Sequence, residues 1–237
     1  RSTLFPYTTL FRSALASTLI GRFLLLCLLG LLVLLPLWYW AAPWLAAAPV
    51  WLAGVVMKLV FPWVEGVERE GVTATLLTTV QVVMPLGDGR QALAELTPEA
   101  SYPVYGYGLA LLWAMLLASR PRWWPLKGLL GSALLVPAQA WGLCFQWLRD
   151  VALTSGDNAV AYLGWPGWAH ELVAYGYQFG FLMLTPVAPI LLWLWFDRSF
   201  VAALWLEASL HQGKPGDVPA ARAPLTQIGR ASCRERV

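Results

Sequence analysis

The 237-residue sequence is 59% hydrophobic and only 12% charged, and it contains fifteen tryptophans. So few charges and so many aromatic side chains exclude an ordinary soluble domain and indicate a membrane protein with several spanning helices. The formal net charge of +3 does not indicate a nucleic-acid partner, because the excess of cations lies at the two ends of the chain and no basic run of the kind that binds phosphates lies between them.

Both ends of the chain resemble translated sequencing adapter. Residues 1–13, RSTLFPYTTLFRS, match one reading frame of a common short-read adapter, and residues 228–237, IGRASCRERV, match its reverse complement. We therefore predict that both segments are artefacts outside the fold. Without them the chain has eleven basic and twelve acidic side chains. Its remaining cysteines, Cys27 and Cys144, lie in separate apolar segments, where a disulfide is not expected.

The first apolar segment predicts a spanning helix within residues 14–43. The run from Leu19 to Trp40 has about 22 residues, which at a rise of 1.5 Å are enough to cross a hydrocarbon core of about 30 Å. Arg22 near its start favours a cytoplasmic amino terminus. A signal peptide is the alternative, because a cation and a leucine-rich core precede Ala46-Ala47-Ala48. The length of the run and its aromatic end favour the spanning helix.

Residues 44–61 are apolar but interrupted by prolines. Between Pro49 and Pro62 only about twelve residues remain, roughly 18 Å of helix, which is too short to cross a bilayer. We therefore predict an interfacial helix on the outer side, with Lys58 extending toward water. A second crossing is the alternative. It would place the basic segment at 120–127 outside the cell, against the preference of basic loops for the cytoplasm.

The sequence of residues 62–101 is typical of a small β region. The stretch from Thr73 to Val83 is rich in Thr, Val and Leu, and a glycine-rich turn follows it at 86–90. With Glu65–Arg69 and Gln91–Leu96 as neighbours, it predicts a three-stranded meander outside the membrane. So small a sheet needs support from the preceding helix or from the bilayer surface.

Residues 102–200 predict three further spanning helices. The segment 120–127, RPRWWPLK, joins the first two as a hairpin, and its three cations should hold it in the cytoplasm. The β region would then face the periplasm. The tail at 201–227 would be cytoplasmic, with an amphipathic start and an unstructured remainder. The expected fold is a mainly α membrane protein with about four transmembrane helices and both termini inside.

Small and polar residues in these helices predict how they pack. An amide left unpaired in hydrocarbon is costly, so we expect Gln139 and Gln178, at comparable depths, to be hydrogen-bonded within the bundle, to each other in one arrangement. Small residues at every fourth position permit close helix contact in lipid. They are Gly106, Ala110, Ala114 and Ala118 after the β region, and Gly176 and Gly180 in the last helix.

One set of residues suggests chemistry. In the predicted topology Cys144, Arg149 and His170 lie near the outer face, where a thiol with a cationic or imidazole partner could act on a translocated peptide. The simpler interpretation makes Cys144 a packing residue, Arg149 the partner of Asp150, and His170 part of a solvated helix start. No metal-spaced cluster, phosphate-binding loop or serine elbow is found, so no cofactor or metal is expected. Intramembrane acids and lysines are also missing, which argues against ion transport.

Several stretches together resemble a family of exosortase H-associated membrane proteins. They cover most of residues 20–205 and read FPWVEGV at 61–67, YGYG at 105–108, PLK at 125–127, AQAWGLC at 138–144 and YGYQFG at 175–180, followed by 186–193. Such proteins are encoded beside a bacterial exosortase, a multispanning transpeptidase-like enzyme that processes proteins bearing a C-terminal sorting tail. The resemblance implies an accessory of protein sorting at the inner membrane, with the exosortase and its substrates as partners.

The resemblance does not extend to the enzyme's reactive centre. Exosortases use a cysteine followed by Ser-Gly, whereas Cys144 is followed by Phe145 and Gln146. A non-catalytic accessory is therefore the expected function. A thiol-dependent processing enzyme that uses Cys144 is the alternative, and a small-molecule transporter is a weaker one.

Overall fold

The computed structural model describes residues 19–85, 91–154 and 164–212. The described chain is mostly helical and includes a small antiparallel sheet. Three of its helical segments are long and apolar enough to cross a membrane. Several predicted features lie outside the described residues: the adapter-like segments 1–13 and 228–237, the turn at 86–90, and the tail after residue 212.

The elements follow one another as helices, strands, and helices again. The helices are α1 (Leu19–Leu45), α2 (Ala47–Val60), α3 (Pro103–Gly106), α4 (Gly108–Ser119), α5 (Trp124–Arg149), α6 (Gly167–Gln178), α7 (Thr185–Phe196) and α8 (Arg198–Gln212). A π-helical segment, Asp150–Thr154, extends α5, and another, Phe179–Leu184, joins α6 to α7. The strands are β1 (Val64–Glu70), β2 (Thr73–Thr78), β3 (Gln81–Pro85), β4 (Gln91–Glu95) and β5 (Glu99–Ser101).

The three candidate spans are α1, α5 with its extension, and the continuous unit of α6 and α7. The remaining predicted crossing corresponds to α3 and α4. Together they cover Pro103–Ser119, an apolar segment that is shorter than each of the three candidate spans. Leu112, Ala114 and Leu116 of α4 are fully buried, because this helix packs against α1, α5 and α7. It leads from the sheet to the basic segment, so it runs the length of the bundle inside the other helices.

One end of the bundle, which we call the basic end, is formed by segment 120–127, the start of α1, the end of α7 and α8. Lys127 Nζ donates a hydrogen bond to the Phe196 carbonyl oxygen at 2.6 Å. The Glu207 carboxylate of α8 accepts one from the Leu19 backbone N–H at 2.8 Å. A cation thus meets the carboxyl end of α7 and an anion the amino end of α1, and both arrangements are favourable for the helix dipoles.

The sheet lies at the opposite end, and its topology differs from the predicted meander. β2 pairs antiparallel with β1 and with β5, while β3 and β4 form a separate hairpin. Gln91–Glu95 therefore pairs with β3, which includes the end of the predicted strand, and not with β2. The predicted strand Thr73–Val83 is interrupted after Thr78: the Thr79 N–H donates to the Trp63 carbonyl, and the chain restarts as β3.

The helices support the small sheet. Trp147 of α5 is fully buried, and its Nε1 donates a hydrogen bond to the Ala74 carbonyl oxygen of β2 at 3.0 Å. The Arg69 guanidinium of β1 donates to the Pro43 carbonyl in α1. Strand β1 also packs directly on α2. A sheet of this size is marginal alone, and these contacts supply the support that it requires.

Candidate functional site

An apolar groove of about 570 Å³ lies between α2, α5 and the beginning of α6. Val56 and Val60 of α2 form one wall, and both side chains are exposed. Almost no polar atoms line the groove. A surface of this kind can accept another apolar segment, but it offers no group that would orient a polar substrate.

Aromatic rings shape the other walls of the groove. Trp141 and Phe145, one turn apart on α5, stack with ring centroids 4.6 Å apart. Trp165 lies against Phe61 at 5.7 Å, at the junction of α6 with the end of α2. Trp168 is another lining residue and is 67% exposed. The groove is therefore open at its aromatic rim.

Cys144 lies in the floor of this groove and is only 7% exposed. Its Sγ is 3.7 Å from the Ala53 carbonyl oxygen, to which the thiol donates a weak hydrogen bond. That contact joins α5 to α2. The hydrogen-bond partner found for the thiol is therefore a backbone carbonyl, and a carbonyl cannot serve as a general base.

Arg149 is engaged in contacts that do not involve Cys144. Its Nε and one terminal nitrogen donate to the same Asp150 oxygen at 3.0 and 2.7 Å. The guanidinium also lies 4.3 Å from the centre of the Tyr177 ring. An ion pair and a cation–π contact thus fix Arg149 between α5 and α6.

His170 occupies the first turn of α6, beside the groove. Its Nδ1 is 3.4 Å from the Pro166 carbonyl oxygen, and its ring meets Trp165 edge-on at 6.2 Å. The Nε2 atom is buried without a hydrogen-bond partner in the described structure. The contacts found in the described structure for Cys144, Arg149 and His170 do not join them to one another. In the described part of the chain no group of three His, Cys, Asp or Glu residues could hold a metal ion.

The small residues singled out in the last helix face α5. The Phe145 ring covers Gly176, and Trp141 Nε1 donates to the Gly176 carbonyl oxygen at 3.1 Å. Gly180 lies against Trp141 and Gly142. In α3 and α4, the Tyr102 ring covers Gly106, and Ala110 is 3% exposed.

The two amides have different environments. Gln139 is 5% exposed and lies inside the bundle beside Tyr102. Gln178 is exposed, so the expectation that each amide is hydrogen-bonded within the bundle is wrong for Gln178. The reason is helical phase. Gly176 and Gly180 face α5, and a residue two positions from each is rotated by about 200°, onto the opposite side of the helix.

The sequence reasoning missed the groove and the aromatic residues around it. The ring pair of Trp141 and Phe145 has a recognisable signal, because residues four apart share a helix face. Trp165 lies just before α6, and Trp168 lies in its first turn. Their meeting with α2 depends on the packing of three elements that are distant in sequence, and no local pattern indicates it.

The family model of exosortase H-associated membrane proteins matches residues 17–200. The chain belongs to this family. The match runs from the start of α1 to the first residues of α8, so it includes the sheet and the whole groove. Comparison with curated proteins and with solved structures gave no match. The groove is thus part of the region that defines an exosortase H-associated membrane protein.

Proposed function

We propose that this chain is a non-catalytic accessory of an exosortase-type protein-sorting system in the bacterial inner membrane. The observation that carries the proposal is its membership of the exosortase H-associated family over residues 17–200. The groove supports a binding role, because apolar side chains line it and its thiol donates to a backbone carbonyl. The candidate partners of that thiol have other contacts.

The β region faces the periplasm in this proposal. The sheet and the basic end lie at opposite ends of the bundle. Short basic segments are retained in the cytoplasm, so the cations of segment 120–127 favour a cytoplasmic basic end and a periplasmic sheet. Sheet and loops would then be available to an exported substrate, while the groove lies alongside the spanning helices.

The groove is the surface on which we place the contact with the exosortase. A helix packs in lipid by shape and close contact, not by excluding water. An open apolar groove with protruding aromatic rings therefore suits one spanning segment of the partner. Polar or charged ligands are poorly matched to it, because burying their polar groups without hydrogen bonds is unfavourable.

Co-purification from membranes that carry the cognate exosortase tests this proposal. Val60, which is 60% exposed at the groove, would be replaced by Trp to fill it, and the matched control is Leu32→Trp at an exposed position of α1. We expect the groove variant to recover much less exosortase than the control. Equal recovery by the two variants would refute the groove as the contact surface. Recovery of the wild-type chain alone in mild detergent would refute the accessory function itself.

A further inference from the structure

The basic end carries cations that the packing of the helices does not use. Four arginines are exposed there, and the described structure shows no acidic partner for them. They are Arg22 of α1, Arg120 and Arg122 of the basic segment, and Arg198 of α8. Such a cluster would attract anions from the adjoining medium.

The two described acids of this end already serve as helix caps. Asp197 is 4% exposed, and its Oδ1 accepts a hydrogen bond from the Phe200 backbone N–H at 3.4 Å. The Glu207 carboxylate accepts from the N–H groups of Leu19 and Ile20 at 2.8 and 3.2 Å. Because both acids are directed at helix N-termini, the described part of the basic end presents mainly positive side chains.

Helix α8 has one side on the bundle and one side free. Phe200 packs against the ring of Phe23 in α1. Arg198, Ala202 and Trp205 are spaced by four and three residues and therefore share the outer face. Trp205 is 74% exposed. A cation followed by an exposed indole along one face is typical of a helix that lies at a membrane surface.

A shallow groove of about 600 Å³ runs between the end of α7 and this outer face of α8. Its walls include Leu194, Val201 and Leu206, and Arg198 is its charged lining residue. We propose that this groove binds an anionic phospholipid. The lipid phosphate pairs with Arg198, and an acyl chain lies along the apolar wall toward Trp205. The other exposed arginines of the basic end favour an anionic head group over a zwitterionic one.

This inference does not rest on the proposed function, because it concerns the bilayer and not the exosortase. It can be tested on the purified full chain by native mass spectrometry in detergent. The probes are phosphatidylglycerol, phosphatidylcholine with the same acyl chains, and inorganic phosphate. The variants are Arg198→Gln and Trp205→Ala. Lys58→Gln is the matched control, because it removes an exposed cation from α2.

We expect phosphatidylglycerol to bind more tightly than phosphatidylcholine. Loss of one cation near a membrane surface should weaken phosphatidylglycerol binding about fivefold in Arg198→Gln. Trp205→Ala should weaken the binding of both lipids, and Lys58→Gln should leave it unchanged. Equal binding of the two lipids, or an equal effect of Arg198→Gln and Lys58→Gln, would overturn the proposal. Displacement of the lipid by millimolar inorganic phosphate would also overturn it, since the site would then be a simple anion site.

Discussion

The contact between α5 and α6 can be tested by replacing Gly176 with alanine. The added Cβ would enter the space of the Phe145 ring. That ring is held by its stacking on Trp141, whose Nε1 donates to the Gly176 carbonyl at 3.1 Å. Overpacking of this kind costs about 1–3 kcal/mol, whereas the change from glycine to alanine within a helix stabilises it by up to about 1 kcal/mol. We expect a net loss of about 1–2 kcal/mol in the free energy of unfolding.

Thermal unfolding in detergent, followed by near-ultraviolet circular dichroism, measures this loss. Gly167→Ala is the matched control, because it lies in the same helix and its added Cβ meets nothing within 4 Å. Adding Phe145→Leu to Gly176→Ala should restore most of the stability by making room for the methyl group. If Gly176→Ala unfolds at the same temperature as Gly167→Ala, the ring does not hold the two helices together and the reasoning is refuted.

Three further predictions concern single contacts. Trp147→Phe removes the N–H that donates to the Ala74 carbonyl oxygen. The free energy of unfolding should fall by about 1 kcal/mol, and backbone amides of β2 should exchange hydrogen faster. Unchanged exchange would contradict the packing of the sheet on α5. Lys127→Met keeps an apolar side chain but removes the charge at the end of α7. We expect the free energy of unfolding in detergent to fall by about 0.5–1 kcal/mol. Equal stability of the variant and the wild type would exclude a capping role. Cells that carry the cognate exosortase and Cys144→Ser should process tail-bearing substrates within roughly twofold of the wild-type rate, because the Cys144 thiol donates to a backbone carbonyl, which cannot remove its proton to give the nucleophilic thiolate. Complete loss at normal protein levels would favour the thiol enzyme.

The helices were predictable because lipid imposes length and composition on them. A segment with enough apolar residues to cross 30 Å must be a helix, since its backbone has no other way to satisfy its polar groups. The three candidate spans, Leu19–Leu45, Trp124–Leu153 and Gly167–Phe196, overlap the segments for which this reasoning predicted spanning helices. The same reasoning also predicted a short helix within residues 44–61, where the structure has α2 (Ala47–Val60). The position of that helix at the outer interface stays a prediction.

The topology of the sheet could not be read in the same way. The alternating stretch from Thr73 to Val83 looks continuous, because Thr and Val are favoured in strands at every position. The break after Thr78 arises from long-range contacts. The Thr78 hydroxyl donates to the Leu96 carbonyl at 2.6 Å, and Val80 is fully buried. Contacts between residues so far apart in sequence leave no local pattern.

Packing between the helices was predicted in kind but not in detail. Small residues were expected to allow close contact, and their partners include other small residues, since Ala114 lies against Gly30 and Gly180 against Gly142. Aromatic rings are partners as well. Aromatic rings lie directly over several of the described glycines, among them Tyr102 over Gly106, Trp113 over Gly128, Tyr105 over Gly142 and Phe145 over Gly176. In lipid, helices gain little from removing apolar surface, so their association depends on such complementary shapes. The many aromatic side chains of this protein thus have a structural use inside the bundle. The ring of Trp168, which lines the groove and is 67% exposed, suits the proposed contact with a helix of the exosortase.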